Sequence, residues 1–231
     1  MSVRLALIGR GISHSQSPHL HKEIWGELLT GYDLIDVDQV SDLPSLPELS
    51  KKYIGINVTT PYKEAYIEEV TVESEVARLI GAINTISLAD MSAVNTDAIA
   101  VEKILKEYLL KIPQLRIHLL GAGVMARMTK IISSQLGLRL FEYTRQLNGD
   151  LSNFDLSNLD SNDLVINSCS RSFVYQGPIS SECHFWDYNY SFSPHNYLHS
   201  VVKSYQDGQE LLLQQAISAA NFWRQKAKLN Y

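Results

Sequence analysis

Residues 115–145 read LRIHLLGAGVMARMTKIISSQLGLRLFEYTR, and no other stretch restricts the fold of this chain as strongly. An apolar run meets a turn holding Gly121 and Gly123, a helical period follows, and a second apolar run closes the segment. Strand, glycine turn, helix and strand in that order make a βαβ unit. A parallel pair cannot be closed by a hairpin, so the chain is committed to α/β layers in which helices cover a sheet. The same alternation fills the N-terminal part. VRLALIG reads as a buried strand, Ser17 to Leu29 as an amphipathic helix, and YDLIDV, YIGINVT and AINTISL as further strands, which together predict a parallel sheet. A helix from Ala98 to Leu110, stopped by Pro113, marks the change of domain. The stretch 150–164, rich in Asn, Ser and Asp, reads as a loop with short helical turns. LVINSCS and CHFWDYNY read as strands, and Gln209 to Lys228 as the last helix.

With 231 residues, 45% hydrophobic and 19% charged, the chain can bury one large core or two modest ones. The fold class expected is therefore α/β in two domains. A net charge of −5 offers no basic footprint for nucleic acid or an anionic membrane, and neither is expected as a partner. Cys169 and Cys183 lack any CxxC or Cys/His ligand spacing, so no metal is expected and a reducing compartment is. The N-terminal apolar run is too short for a signal, and no run reaches the roughly 18 apolar residues of a membrane span. A cytoplasmic protein is the expectation.

The glycine turn has a chemical reading. Gly121 permits the tight turn, Gly123 lets backbone amides approach a pyrophosphate, and Ala126 keeps the helix close to the sheet. Taken alone such a pattern can be mere turn chemistry, but its βαβ context favours a Rossmann-like dinucleotide site. Glu142, about 20 residues beyond the first glycine, suits a ribose 2′-hydroxyl and hence NAD. Arg145, three residues on, has a fork long enough to reach a phosphate. Solvated strand-end charges would explain both residues as well.

A second constellation lies earlier. Asn57, Thr59, Lys63, Asn84 and Asp97 form a polar set suited to a small hydroxylated ligand. A Lys and an Asp brought together can hold each other's protonation state, which suits proton transfer. Their bland readings are a surface Lys at a helix start after Pro61 and an Asp capping the helix that follows. Ser15 and Ser17, just before Pro18, suit a carboxylate, although Ser17 as a plain helix cap explains one of the two.

These stretches, HSQSPHLH, NVTTPYK, GAINT and NTD, stand in the order seen in the shikimate dehydrogenase family, which the chain resembles along nearly its whole length. The resemblance implies NADP-dependent reduction of 3-dehydroshikimate to shikimate, in aromatic amino-acid biosynthesis. It implies Lys63 and Asp97 as catalytic residues, and Ser15, Ser17, Thr59, Asn84 and Gln215 as substrate-binding ones, with Gln214 one position away. Cofactor binding falls to Gly121, Gly123, Ala126, Arg145 and Tyr190. It further implies a substrate-binding domain at 1–98 completed by a helix at 207–231, a cofactor domain at 99–206, and a monomer or homodimer. The alternatives are a quinate/shikimate enzyme using NAD and a ligand-binding relative with weak turnover. The chain departs from the family pattern at Val124, where a glycine is usual, and at Ala98 and Ala100, where glycines normally follow the catalytic Asp. The Pro and Thr that usually follow Tyr190 are absent too.

Overall fold

The computed structural model describes residues 2–229. Met1 and residues 230–231, both included in the expected first domain, lie outside the described residues. The chain forms two compact units, Met1–Ala100 with Leu213–Tyr231, and Val101–Leu212. Among the described residues no helix is long and apolar enough to cross a membrane.

In the first unit β1 (Val3–Gly9) lies between β2 (Leu29–Asp36) and β3 (Gly55–Val58), parallel to both. Leu5, Ala6 and Ile8 of β1 are wholly buried, as expected of a strand covered on both faces. Helices α1 (Ser17–Trp25), α2 (Leu46–Leu49) and α3 (Glu75–Ile80) belong to this unit, with β4 (Thr71–Val72), β5 (Thr85–Ser87) and β6 (Ser92–Val94). The six strands run in the order β2-β1-β3-β5-β6-β4.

One expectation fails here. The stretch AINTISL, read as another parallel strand, gives β5 antiparallel to β3, and β6 is antiparallel to β5 in turn. β5 and β6 are joined by the turn at 88–91, where Met91 adopts φ 53°. So short a link closes a hairpin and leaves no room for a crossover. Strand direction also leaves no trace in apolar periodicity. Nor do β4, only two residues long, and the short α3 stand out in the sequence.

The last helix, α8 (Gln209–Lys226), carries Ala219, Ala220, Phe222 and Trp223 into a core with Val3, Leu5, Trp25 and Leu29. The Trp223 indole N–H donates to the Ile86 carbonyl at 2.8 Å. Its ring lies over Gly55, where an added Cβ would stand 2.1 Å from Nε1. Only glycine leaves space for the indole.

The second unit begins within α4 (Thr96–Lys111), whose first turn belongs to the first unit. Strands β7 (Arg116–Leu120), β8 (Arg139–Tyr143), β9 (Asp163–Asn167), β10 (His184–Asp187) and β11 (Ser204–Gln206) form a sheet of order β11-β10-β9-β7-β8. Every pairing in it is parallel. Helix α5 (Val124–Gln135) joins β7 to β8, so 115–145 folds as the βαβ unit its pattern predicts. Two short helices, α6 (Arg145–Asn148) and α7 (Leu198–Val201), complete the unit, and residues 150–162 form turns without a helix. From β7 the chain moves to β8 on one side and later to β9 on the other. That reversal of order opens a crevice at the carboxyl ends of the strands.

Candidate functional site

In the first unit the carboxyl edge of β1 and β3 collects the polar side chains singled out by sequence. The loop after β1 brings Ser15 and Ser17, and the segment after β3 brings Thr59 and Lys63. The antiparallel hairpin is what adds the rest. Because Asn57 faces Thr85 and Thr85 faces Val94, Asn84 and the start of α4 arrive at the same edge. Parallel strands would have sent them to the opposite end.

Lys63 Nζ lies 2.7 Å from Asp97 Oδ2, and the two side chains are only 13% and 14% exposed. Lys63 occupies a turn, not a helix start, so the bland surface reading does not describe it. Nor does Asp97 cap α4. The Ala98 amide donates to Asn95 Oδ1 at 3.1 Å, which makes Asn95 the cap and leaves the Asp97 carboxylate to its lysine. Ala98 and Ala100 are buried within α4.

Around this pair the buried polar groups satisfy one another. Asn84 Oδ1 accepts from the Thr96 amide at 2.7 Å and from the Thr85 hydroxyl at 3.1 Å. The Thr96 hydroxyl reaches Gln215 Oε1 at 3.4 Å, which ties α8 to the same edge. Asn57 donates to the Asn84 carbonyl at 3.1 Å and to the Thr85 hydroxyl at 3.0 Å, and accepts from Tyr32 at 2.9 Å. Burial pushes the Tyr32 phenol well up, with Ser17 beside it pulling the other way. Ser17 opens α1. Its amide donates to the Ser15 hydroxyl at 3.2 Å, and the two hydroxyls are 3.1 Å apart. His21 stacks on Tyr32 with ring centres 4.9 Å apart, and burial draws its imidazole down to about 4. Tyr32, Thr85 and Thr96 do not stand out in the sequence, because only the sheet register makes them neighbours.

In the second unit a cleft of about 630 Å³ opens at the switch point, lined by the segments that follow β7, β8 and β9. Gly121 has φ +117°, and a Cβ there would stand 2.6 Å from the Ser168 hydroxyl. A Cβ on Gly123 would meet nothing within 4 Å. Gly123 also begins α5 and brings no side-chain cap of its own to the amide end of the helix. Ala126 is wholly buried, as close packing of helix and sheet requires.

Arg145, the first residue of α6, lines the cleft with Arg127, Lys130 and Glu142. Lys130 reaches both Glu142 oxygens, at 2.9 and 3.0 Å, so the carboxylate is not the unpartnered ribose acceptor that its position in the sequence suggests. Lys130 could have been suspected only from its place one turn after Arg127 on one helix face. Tyr190 lies in the loop after β10, apart from the residues that line the cleft. Its ring lies under the Arg171 guanidinium at 5.7 Å, and its carbonyl accepts from Arg171 at 2.7 Å. That loop starts from a buried pair in which His195 Nδ1 stands 2.5 Å from Asp187 Oδ2. Cys169 also faces the cleft, and burial raises its thiol to about 11.

Fold and geometry together define a class: an α/β protein with a hydroxyl-, amide- and ion-pair-lined edge on one unit and a dinucleotide-type cleft on a parallel-sheet unit. Comparison with known proteins narrows it. Residues 7–86 match the model of the shikimate dehydrogenase substrate binding domain. A shikimate dehydrogenase (NADP(+)) of Caldicellulosiruptor bescii is 30% identical over 54% of this chain and 46% of its own length. Over that match the chain spans about half the relative's length. The enzyme of the same name from Herminiimonas arsenicoxydans is 28% identical over 97% of this chain and 93% of its own. Among solved structures, shikimate 5-dehydrogenase from Thermus thermophilus in complex with shikimate superposes with a TM-score of 0.75 at 25% identity. The superposition covers 96% of this chain and 92% of that one. Over residues 7–86 the chain thus resembles the substrate-binding domain of the shikimate dehydrogenases, and over nearly its whole length it is similar to enzymes of that name.

Proposed function

We propose that the protein catalyses the reversible, NADP-dependent reduction of 3-dehydroshikimate to shikimate. The observation that carries this reading is the Lys63–Asp97 contact of 2.7 Å, held inside a network of amides and hydroxyls. A binding protein for a hydroxylated acid needs the hydroxyls and amides but no buried proton donor. In the reductive direction Lys63 donates a proton to the ketone oxygen, and Asp97 accepts from the adjacent substrate hydroxyl while keeping the ammonium in place. Ser15 and Ser17 take the substrate carboxylate, and Thr59, Asn84 and Gln215 orient the ring hydroxyls. Asn84 is suited to this because its carbonyl end is already engaged by Thr85 and Thr96, which turns its NH₂ end to the ligand.

The cleft of the second unit fits the cofactor. Gly121 holds a turn that a side chain would block, and the uncapped start of α5 suits a pyrophosphate. Arg145 takes the 2′-phosphate, and a role for Tyr190 beside the nicotinamide rests on the family resemblance alone, since it lies outside the cleft lining. When bound, NADPH supplies the hydride to the carbonyl carbon. The enzyme acts in the cytoplasm, as a monomer or homodimer.

A spectrophotometric assay with shikimate and quinate, each with NADP and NAD, tests the reading. Turnover fastest with shikimate and NADP is expected. No turnover with any pair, despite measurable shikimate binding, would make the protein a ligand-binding relative.

A further inference from the structure

On the reading that the cleft of the second unit takes NADP, we propose that Lys130 is a specificity-determining residue. By holding both oxygens of Glu142, it withdraws the cleft's acidic side chain and so admits a 2′-phosphate in preference to a bare ribose hydroxyl. Among the described residues lining the cleft, Glu142 is the only acidic one. Its place near the end of β8, about 20 residues after Gly121, is where an acidic side chain accepts from a ribose 2′-hydroxyl and repels a 2′-phosphate. Left alone, it would make this an NAD site. Lys130 counters that by charge and geometry, because its ammonium lies 2.9 and 3.0 Å from the two carboxylate oxygens, offsets their charge and occupies one acceptor site on each.

Charge points the same way. Arg127, Lys130 and Arg145 line the cleft against the single carboxylate, so a doubly charged phosphate meets a lining with two positive charges in excess. The pair is not a fold staple. Its side chains are 39% and 29% exposed, and an ion pair so open to water contributes little to stability. An ammonium is moreover a point charge on a flexible stem, able to face a phosphate while still holding its carboxylate.

The test is calorimetric titration of the intact protein with adenosine 2′,5′-bisphosphate and adenosine 5′-monophosphate, which carry the discriminating end of the cofactor without its reactive ring. Wild type is expected to bind the bisphosphate at least about tenfold more tightly, the scale of one added charge-assisted contact. Lys130→Met should erase most of that preference by weakening the bisphosphate and leaving the monophosphate unchanged or tighter. Adding Glu142→Gln should restore much of it, since the exposed carboxylate is then gone. A merely structural lysine would weaken both nucleotides together, with no rescue by the second substitution. A preference that survives Lys130→Met, or a double variant without rescue, overturns the proposal and leaves NADP binding standing. A wild type that prefers the monophosphate overturns the cofactor reading and the proposal with it.

Discussion

At the carboxyl edge of β1 and β3 the polar groups hold one another. Asn57, Asn84, Thr85 and Thr96 are buried, bonded among themselves, and placed before any ligand arrives. In the cleft at the ends of β7, β8 and β9 the charged groups are half open to water, and the Lys130–Glu142 pair joins two of them. The contrast separates two ways of building a ligand-facing surface. Buried, mutually satisfied groups fix geometry closely, and disturbing one leaves its partners unpaired at full desolvation cost. Exposed charges are screened, cost the fold little when removed, and act mainly on which ligand is preferred.

The largest expected effect falls on the first region. Lys63→Ala should lower turnover by about 10² to 10⁴, the usual contribution of a positioned acid, while shikimate affinity measured by calorimetry falls far less. Intact turnover with lost affinity would reduce Lys63 to a binding group.

A stability measurement sharpens the same side. His21 is held near 4 in the folded protein against 6.5 when exposed, so the unfolded chain takes up the proton first. The stabilisation present above pH 6.5 is therefore lost as pH falls from 6.5 toward 4, by up to about 3 kcal/mol. Urea unfolding across that window should show the slope, and His21→Phe should flatten it. An equal slope in the variant would assign the titration to other groups.

Smaller still is the loss expected at the serines. Ser15→Ala or Ser17→Ala should raise the KM for shikimate by the equivalent of about 1 to 3 kcal/mol and leave cofactor affinity alone. Kinetics unchanged in both variants would return the pair to the first turn of α1. The smallest effect belongs to the cleft, where Arg145→Ala should weaken NADP by about tenfold, spare NAD, and leave the unfolding midpoint unmoved. A shifted midpoint would mean that the two regions differ less than their exposure implies.

What the sequence discloses follows the same division. The βαβ unit at 115–145 is legible because its signals are local: an apolar run, glycines and a helical period. The side chains of the first region are legible as chemical types, since Lys63, Asn84 and Asp97 sit in short polar interruptions of apolar strands. Their neighbours are not. That Asn95 and not Asp97 caps α4 depends on a one-residue choice of helix start, and that β5 runs against β3 is a matter of strand direction, which apolar periodicity does not record. Lys130 eluded sequence reasoning for another reason. An ion pair between a helix and the next strand joins residues 12 apart in the chain, at no spacing that periodicity marks.

The indole of Trp223 over Gly55, bonded to the carbonyl of Ile86, has a bearing on how the chain is made. Val3, Leu5, Trp25 and Leu29 leave the ribosome long before α8, which supplies much of their apolar cover. The bond to Ile86 spans 137 positions. The second unit has all its residues in one run and can close while synthesis continues. The first must wait with an uncovered apolar face until α8 emerges, and such waiting surfaces are where chains aggregate and chaperones bind. Order of synthesis and order of completion are thus reversed, and the unit begun first is finished last.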